Sequence, residues 1–303
     1  MWHGSCVWVA DGSRRGCDRA DIRPRPLAST GRGAAEQYGR AAAYLAARPF
    51  LRDKAGHARH AGLMFLLERN DDYARLTLDR PEARNAIPAA GWAELSEKIA
   101  VVERSDVRML VLLGADETFC AGADLDDLAA MNGDADAIAR FREDMRGALD
   151  RLRGLDIPTI ALIQGHCYGA GVALAMACDL RIAARQARFA ITPAKIGISY
   201  PQEDVHRLVA LVGPGQAARM LFNAEIVYGE EAKHIGLVEL HMPSEKGAFE
   251  AILANDRESM VALKQAIGRA AAGVRSDPEM DARFDSLIGG EAAARRLEAL
   301  RQK

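Results

Sequence analysis

Two glycine-bearing stretches carry residues whose spacing suits chemistry: Cys120-Ala121-Gly122-Ala123-Asp124 and Gly165-His166-Cys167-Tyr168-Gly169-Ala170-Gly171. Each follows an apolar run that reads as a buried strand, Arg108–Leu113 before the first and Thr159–Ile163 before the second, and each precedes a helical pattern. A strand that turns sharply into a helix leaves backbone N–H groups unpaired at the helix start, where the dipole also favours negative charge. One such turn could hold an anion. Two of them, brought together, could polarise a single carbonyl oxygen and stabilise the enolate that develops on it. Either turn alone is read more simply as a tight connection in which small residues permit close packing.

Several other polar residues lie near these turns. Glu203, Asp204 and His206 read as the solvated first turn of a helix, where acids are favoured by the dipole. His166 reads as a packed or surface histidine, Tyr168 as a candidate pocket-lining residue and Lys195 as a surface cation. Asp124 is placed to cap the helix that follows it. Met145, Met176 and Met220 suit core packing and imply no cofactor. The five cysteines show no CxxC spacing and are odd in number, which argues against a disulfide framework or a metal site and fits a reducing, cytoplasmic setting.

The elements that must position the turns begin at Met64. Met64–Glu68 and Tyr73–Leu78 form a hairpin pattern about Asn70-Asp71-Asp72. Asp79–Ala86 breaks the strand, and a helix is expected from about Pro88, with apolar Trp92, Leu95, Ile99 and Val102 at three-to-four spacing. Helices are expected over Leu125–Met131, Asp136–Leu155 and Val172–Cys178, then strands over Leu180–Ala183 and Arg188–Ile191. After Pro201 the pattern is helical except at Leu237–Leu240. Strand–strand–helix units followed by a helical third suggest mixed α/β architecture with no domain break after residue 64. At 303 residues, 49% hydrophobic and 27% charged, with a net charge of −2, the chain gives no reason to expect a nucleic-acid partner. It also contains no apolar run of the roughly 20 residues that a bilayer span requires.

Residues 1–63 differ in composition: they are rich in Arg, Gly and Ala, and only 34–51 has a helical pattern. They read as a disordered extension or as sequence upstream of a true start at Met64, with a transit-like segment or a small appendage as the alternatives.

From Met64 to the C-terminus the chain resembles the crotonase, or enoyl-CoA hydratase/isomerase, superfamily. The motifs occur in the family's order: Arg80–Ala86, Phe119–Leu125, Pro158–Ala161, Gly169-Ala170-Gly171 with Ala177–Leu180, Lys195–Ile198 and Ala232–Val238. The resemblance implies an α/β spiral of ββα units over 64–245, a helical trimerisation region over 246–303, and a homotrimer or dimer of trimers. It also implies an acyl-CoA substrate in fatty acid metabolism, with no cofactor beyond the coenzyme A carried by the substrate. Family roles transfer as an oxyanion hole made by the N–H groups of Ala123 and Ala170, with coenzyme A near Arg84, Ala86, Ala121, Gly122, Asp124, Leu125, Tyr168 and Gly169. The two glutamates that hydratases use fall at Ala173 and Pro193, so neither carboxylate is present. A stretch from Phe189 to Tyr200 is similar to the methylmalonyl-CoA decarboxylase branch, in which the residue matching Tyr200 holds the departing carboxylate. That branch has histidine where this chain has Ala123 and glutamate where it has Ala173. Three readings follow: an enoyl-CoA hydratase/isomerase-family lyase or isomerase acting through a thioester enolate, a decarboxylase using Tyr200, or a non-catalytic acyl-CoA-binding homologue. The segment between Met242-Pro243 and the helix carrying Leu263–Ile267 is shorter than the family usually shows, and the last helix, Glu291–Lys303, has an apolar face at Leu297 and Leu300.

Overall fold

The computed structural model describes residues 51–52, 64–70, 72–242 and 245–302. The sequence expectations for residues 1–50 and 53–63 therefore fall outside the described residues. A seven-stranded sheet runs in the order β1 (Leu51–Arg52), β2 (Phe65–Arg69), β3 (Ala74–Leu78), β4 (Leu110–Gly114), β5 (Thr159–Ile163), β7 (Leu180–Ala183) and β10 (Leu240–His241). β1–β2 and β2–β3 are antiparallel; every later pair is parallel. All five residues of β5 are buried, as a central parallel strand covered on both faces requires. In the β2–β3 turn, Asn70 Oδ1 accepts from the N–H groups of Asp72 and Tyr73 at 2.9 and 2.8 Å, which shapes the connection.

Helix α1 (Gly91–Glu103) buries Trp92, Leu95, Ile99 and Val102, the face expected from their spacing, and packs on α3 (Ala135–Arg153). Between them in sequence lies the short α2 (Leu125–Ala130). Helix α4 (Ala170–Met176) is buried on every side except at its first residue. A second, three-stranded sheet joins β6 (His166–Tyr168), β8 (Arg188–Ala190) and β9 (Val227–Tyr228), with β6 parallel to β8 and β9 antiparallel to it.

Two of these strands depart from the sequence expectation. β6 lies inside the second glycine stretch, and β9 is a two-residue strand in a region read as helical. Both exist because β8 pairs with them, a non-local cause with no periodic signature. The strand expected at Leu237–Leu240 is shifted to Leu240–His241, where it pairs with Ile182 and Ala183 of β7.

The last part of the chain is α5 (Gln202–Asn223), α6 (Gly229–His234), α7 (Glu245–Ala254), α8 (Arg257–Ala271), α9 (Pro278–Ile288) and α10 (Glu291–Arg301). α5 is interrupted at Gly213, whose φ of 75° precedes Pro214. Lys264 anchors α8 to the core, reaching Ile157 O at 2.8 Å and Asp179 Oδ2 at 2.7 Å. An apolar cavity of about 370 Å³ lies between α8, α9 and α10, bordered by Leu263, Ala266, Phe284 and Ile288. Among the described residues no helix is long and apolar enough to cross a membrane.

Candidate active site

The first glycine turn is held by backbone pairing with residues 84–87. Ile87 N–H donates to Gly122 O at 2.8 Å, Asp124 N–H donates to Ile87 O at 2.9 Å, and Ala121 N–H donates to Arg84 O at 3.0 Å. In such a parallel bridge the residue between the two paired groups, here Ala123, turns its own N–H to the opposite edge. The Ala123 N–H has no acceptor among the described residues.

Side chains brace the same segment. Buried Asn85, at φ 56°, accepts from Arg80 N–H at 3.0 Å and donates to Ala115 O and Thr118 O at 3.0 and 2.7 Å. Asp124 caps α2, accepting from Asp126 N–H at 2.9 Å, while its second oxygen accepts from Arg80 Nη1 at 2.5 Å. The Arg80 hydrogen bond is the main reason the Asp124 carboxyl is held below its ordinary range. Arg84, Ala86, Ala121, Gly122 and Asp124 thus lie in one stitched cluster, and Leu125 beside them is 64% exposed.

The second turn is docked directly on the first. Cys120 N–H donates to His166 O, and Tyr168 N–H donates to Cys120 O, both at 2.9 Å. A Cβ on Gly171 would stand 2.8 Å from Cys120 Cβ, so only glycine permits this approach. A Cβ on Gly122 would stand 3.1 Å from Tyr168 O and 3.8 Å from Ala170 N. With standard covalent geometry, that contact limits the separation of Ala123 N and Ala170 N to about 7.5 Å. Gly169, at φ 49° and ψ −112°, opens α4, and its carbonyl accepts from Val172 N–H at 2.9 Å and Ala173 N–H at 3.2 Å. The Ala170 N–H has no acceptor among the described residues.

Tyr200 is half-buried, packs against the core and donates its hydroxyl to Gly169 O at 3.1 Å. Burial, reinforced by Asp204, raises its phenol well above the ordinary range, so it is a neutral donor at physiological pH. Neither position expected for a hydratase carboxylate bears one: Ala173 is buried in the first turn of α4, and Pro193 opens a 3-10 helix, Pro193–Ile196.

Asp204 requires a correction. Glu203 and His206 are exposed, as expected for a solvated first turn, but Asp204 is fully buried and faces Arg146 and Arg207 at 3.4 and 3.3 Å. The expectation failed because Arg146 lies on α3, distant in sequence, and only the packing of α5 on that helix supplies the partner. His166 and Tyr168 stack with centroids 5.0 Å apart, and Arg188 Nη1 lies 3.2 Å from His166 Nε2. Burial first, then Arg188 and Arg84, lowers the His166 pKa, which favours the neutral ring.

Arg80, Asn85 and Asp204 are site-supporting residues that sequence reasoning did not single out for these roles. The first two have a visible signal, an Arg and an Asn bracketing a strand-breaking Pro-Glu-Ala, which suits a turn with left-handed residues.

Residues 68–283 match the sequence model of the family described as enoyl-CoA hydratase/isomerase. The chain is 34% identical to the short-chain-enoyl-CoA hydratase of Clostridium acetobutylicum over 236 residues, covering 75% of this chain and 88% of that protein. Among solved structures, an enoyl-CoA hydratase/isomerase family protein of Hyphomonas neptunium superposes with a TM-score of 0.75 at 32% identity, covering 79% of this chain and 95% of the other. The enoyl-CoA hydratase of Bacillus anthracis gives 0.72 at 27% identity, covering 79% and 96%.

Proposed function

The chain belongs to the enoyl-CoA hydratase/isomerase family, and from that premise we propose that it binds an acyl-CoA and stabilises the enolate of its thioester. The thioester oxygen accepts from Ala123 N–H and Ala170 N–H. These donors are fixed before the substrate arrives, so no reorganisation is needed as negative charge develops. One observation carries this reading: two docked turns each present an N–H without an acceptor among the described residues. Arg84, Ala86, Ala121, Gly122, Asp124 and Leu125 form the adjoining surface for coenzyme A, with Tyr168 and Gly169 on the acyl side. No cofactor beyond that coenzyme A is needed. The helices after residue 245, with exposed Leu263, Ile267, Phe284 and Ile288, are the surface through which a homotrimer or a dimer of trimers assembles in the cytoplasm.

The hydratase proton relay is not available in its usual form, because positions 173 and 193 hold Ala and Pro. That absence favours a second reading, acyl-CoA binding without turnover. Decarboxylation needs no base, but it would require Tyr200 to release Gly169 O, since a phenol has one proton to donate.

The readings separate when crotonyl-CoA, a 3-enoyl-CoA and methylmalonyl-CoA are each incubated with the protein and the products followed by mass spectrometry. Hydration or isomerisation of an enoyl-CoA is the expected result. Turnover of methylmalonyl-CoA alone selects decarboxylation. Tight coenzyme A binding with no turnover of these or other acyl-CoAs overturns the enzyme reading in favour of the binding one.

A further inference from the structure

We infer that Tyr200 is a positioning residue for the second oxyanion donor, acting through the Gly169–Ala170 peptide rather than on the substrate. The inference rests on the reading of Ala170 N–H as that donor. Gly169 C=O and Ala170 N–H are the two ends of one planar peptide unit, so whatever holds the oxygen aims the N–H. The Tyr200 hydroxyl donates to that oxygen at 3.1 Å. A hydrogen bond accepted at the oxygen also polarises the unit and strengthens the N–H as a donor.

The local backbone explains why a restraint is needed. Gly169 lies at φ 49° and ψ −112°, a combination open to glycine, and the position of its absent Cβ has no atom within 4 Å. Side-chain packing at residue 169 therefore does not fix the peptide. The hydrogen bonds on Gly169 O fix it: Val172 N–H, Ala173 N–H and the Tyr200 hydroxyl, of which Tyr200 is the one side chain. Tyr200 itself is anchored by its packing on the core and by Pro201, the N-cap residue of α5.

The first donor is built on the same plan with a different part. Gly122 C=O and Ala123 N–H also share one peptide, and its oxygen accepts from Ile87 N–H at 2.8 Å. Each proposed donor peptide thus has its carbonyl held from behind, by main-chain N–H groups in both turns and, in the second, by a phenol as well.

The test is difference infrared spectroscopy of acetyl-CoA labelled with ¹³C at the thioester carbonyl, bound to the wild-type protein and to Tyr200→Phe. The wild type is expected to lower the carbonyl stretch relative to free acetyl-CoA. Tyr200→Phe should lower it less, with affinity unchanged within about threefold, because one N–H is less well aimed while the coenzyme A contacts remain. An equal lowering in both proteins overturns the role of Tyr200 and leaves the oxyanion reading intact. No lowering in the wild type overturns the oxyanion reading itself and the inference with it. If Tyr200→Phe does not fold, 3,5-difluorotyrosine at position 200 serves instead. Its stronger O–H donor should increase the lowering, and an unchanged stretch overturns the role.

Discussion

The two glycine turns have the same task in this account but different supports. The Cys120–Asp124 turn is tied on both sides of Ala123 by main-chain bonds to Ile87 and is braced by Asn85 and the Arg80–Asp124 pair. The Gly165–Gly171 turn depends on close approach at Gly165 and Gly171, and its donor peptide is held by one side chain, Tyr200, beside the helix N–H groups. Main-chain support survives most substitutions, whereas side-chain support can be lost or tuned by a single one. The second turn is therefore the more tunable of the two by side-chain substitution.

The largest expected effect lies in the second turn. Gly165→Ala would place a Cβ 1.8 Å from Glu117 O at φ 52°, and no side-chain movement relieves a clash with backbone. It should destabilise the protein by more than about 3 kcal/mol or prevent folding, read by urea denaturation or soluble yield. Next is Asp204→Ala, which removes the buried one of the two carboxylates that face Arg146 and Arg207 and leaves them half-exposed Asp150, at 3.1 and 2.9 Å. A loss of about 1–3 kcal/mol is expected in the same measurement, because Asp150 still pairs with both guanidinium groups. A loss below about 1 kcal/mol would show that the cluster does not hold the start of α5.

Smaller effects sharpen the contrast. Tyr200→Phe should cost about 1 kcal/mol of stability, the worth of one hydrogen bond, beside its effect on the bound thioester. Asp124→Asn should cost about 0.5–1 kcal/mol at neutral pH through the lost ion pair with Arg80, since Asn caps a helix about as well as Asp. The sign with pH follows from its lowered pKa. The native carboxylate adds stability above the ordinary carboxyl range, and that increment disappears as pH falls through the folded-state value. The difference between wild type and Asp124→Asn should therefore shrink in acid; a constant difference from neutral to acid would contradict the pairing. Ile87→Val separates packing from main-chain support. It should cost about 1 kcal/mol from the lost methylene while leaving the carbonyl shift of bound acetyl-CoA unchanged, because the Ile87 N–H that holds Gly122 O belongs to the main chain.

Much of this was legible in the sequence, for identifiable reasons. The apolar run of β5 and the three-to-four spacing of α1 produce periodic signals, and both elements lie where those signals point. The glycine turns were visible because close approach leaves few residue choices, as Gly171 against Cys120 shows. The pairing of β6 and β9 with β8, the burial of Asp204 against Arg146 and the Tyr200 bond to Gly169 O were not legible. Each joins residues far apart in the chain, and nothing local to Tyr200 or Asp204 marks the partner. Arg84, Ala86, Ala121, Gly122 and Asp124, which the resemblance assigns to coenzyme A, share a cluster because main-chain bonds between 84–87 and 121–124 bring them together.

Ala123 N–H and Ala170 N–H are expected to meet at one thioester oxygen. A crystal structure of the protein with acetyl-CoA gives the distances from that oxygen to the two nitrogens. Both should be about 3 Å. Nitrogens more than about 6 Å apart, or a carbonyl directed elsewhere, would rule the shared site out.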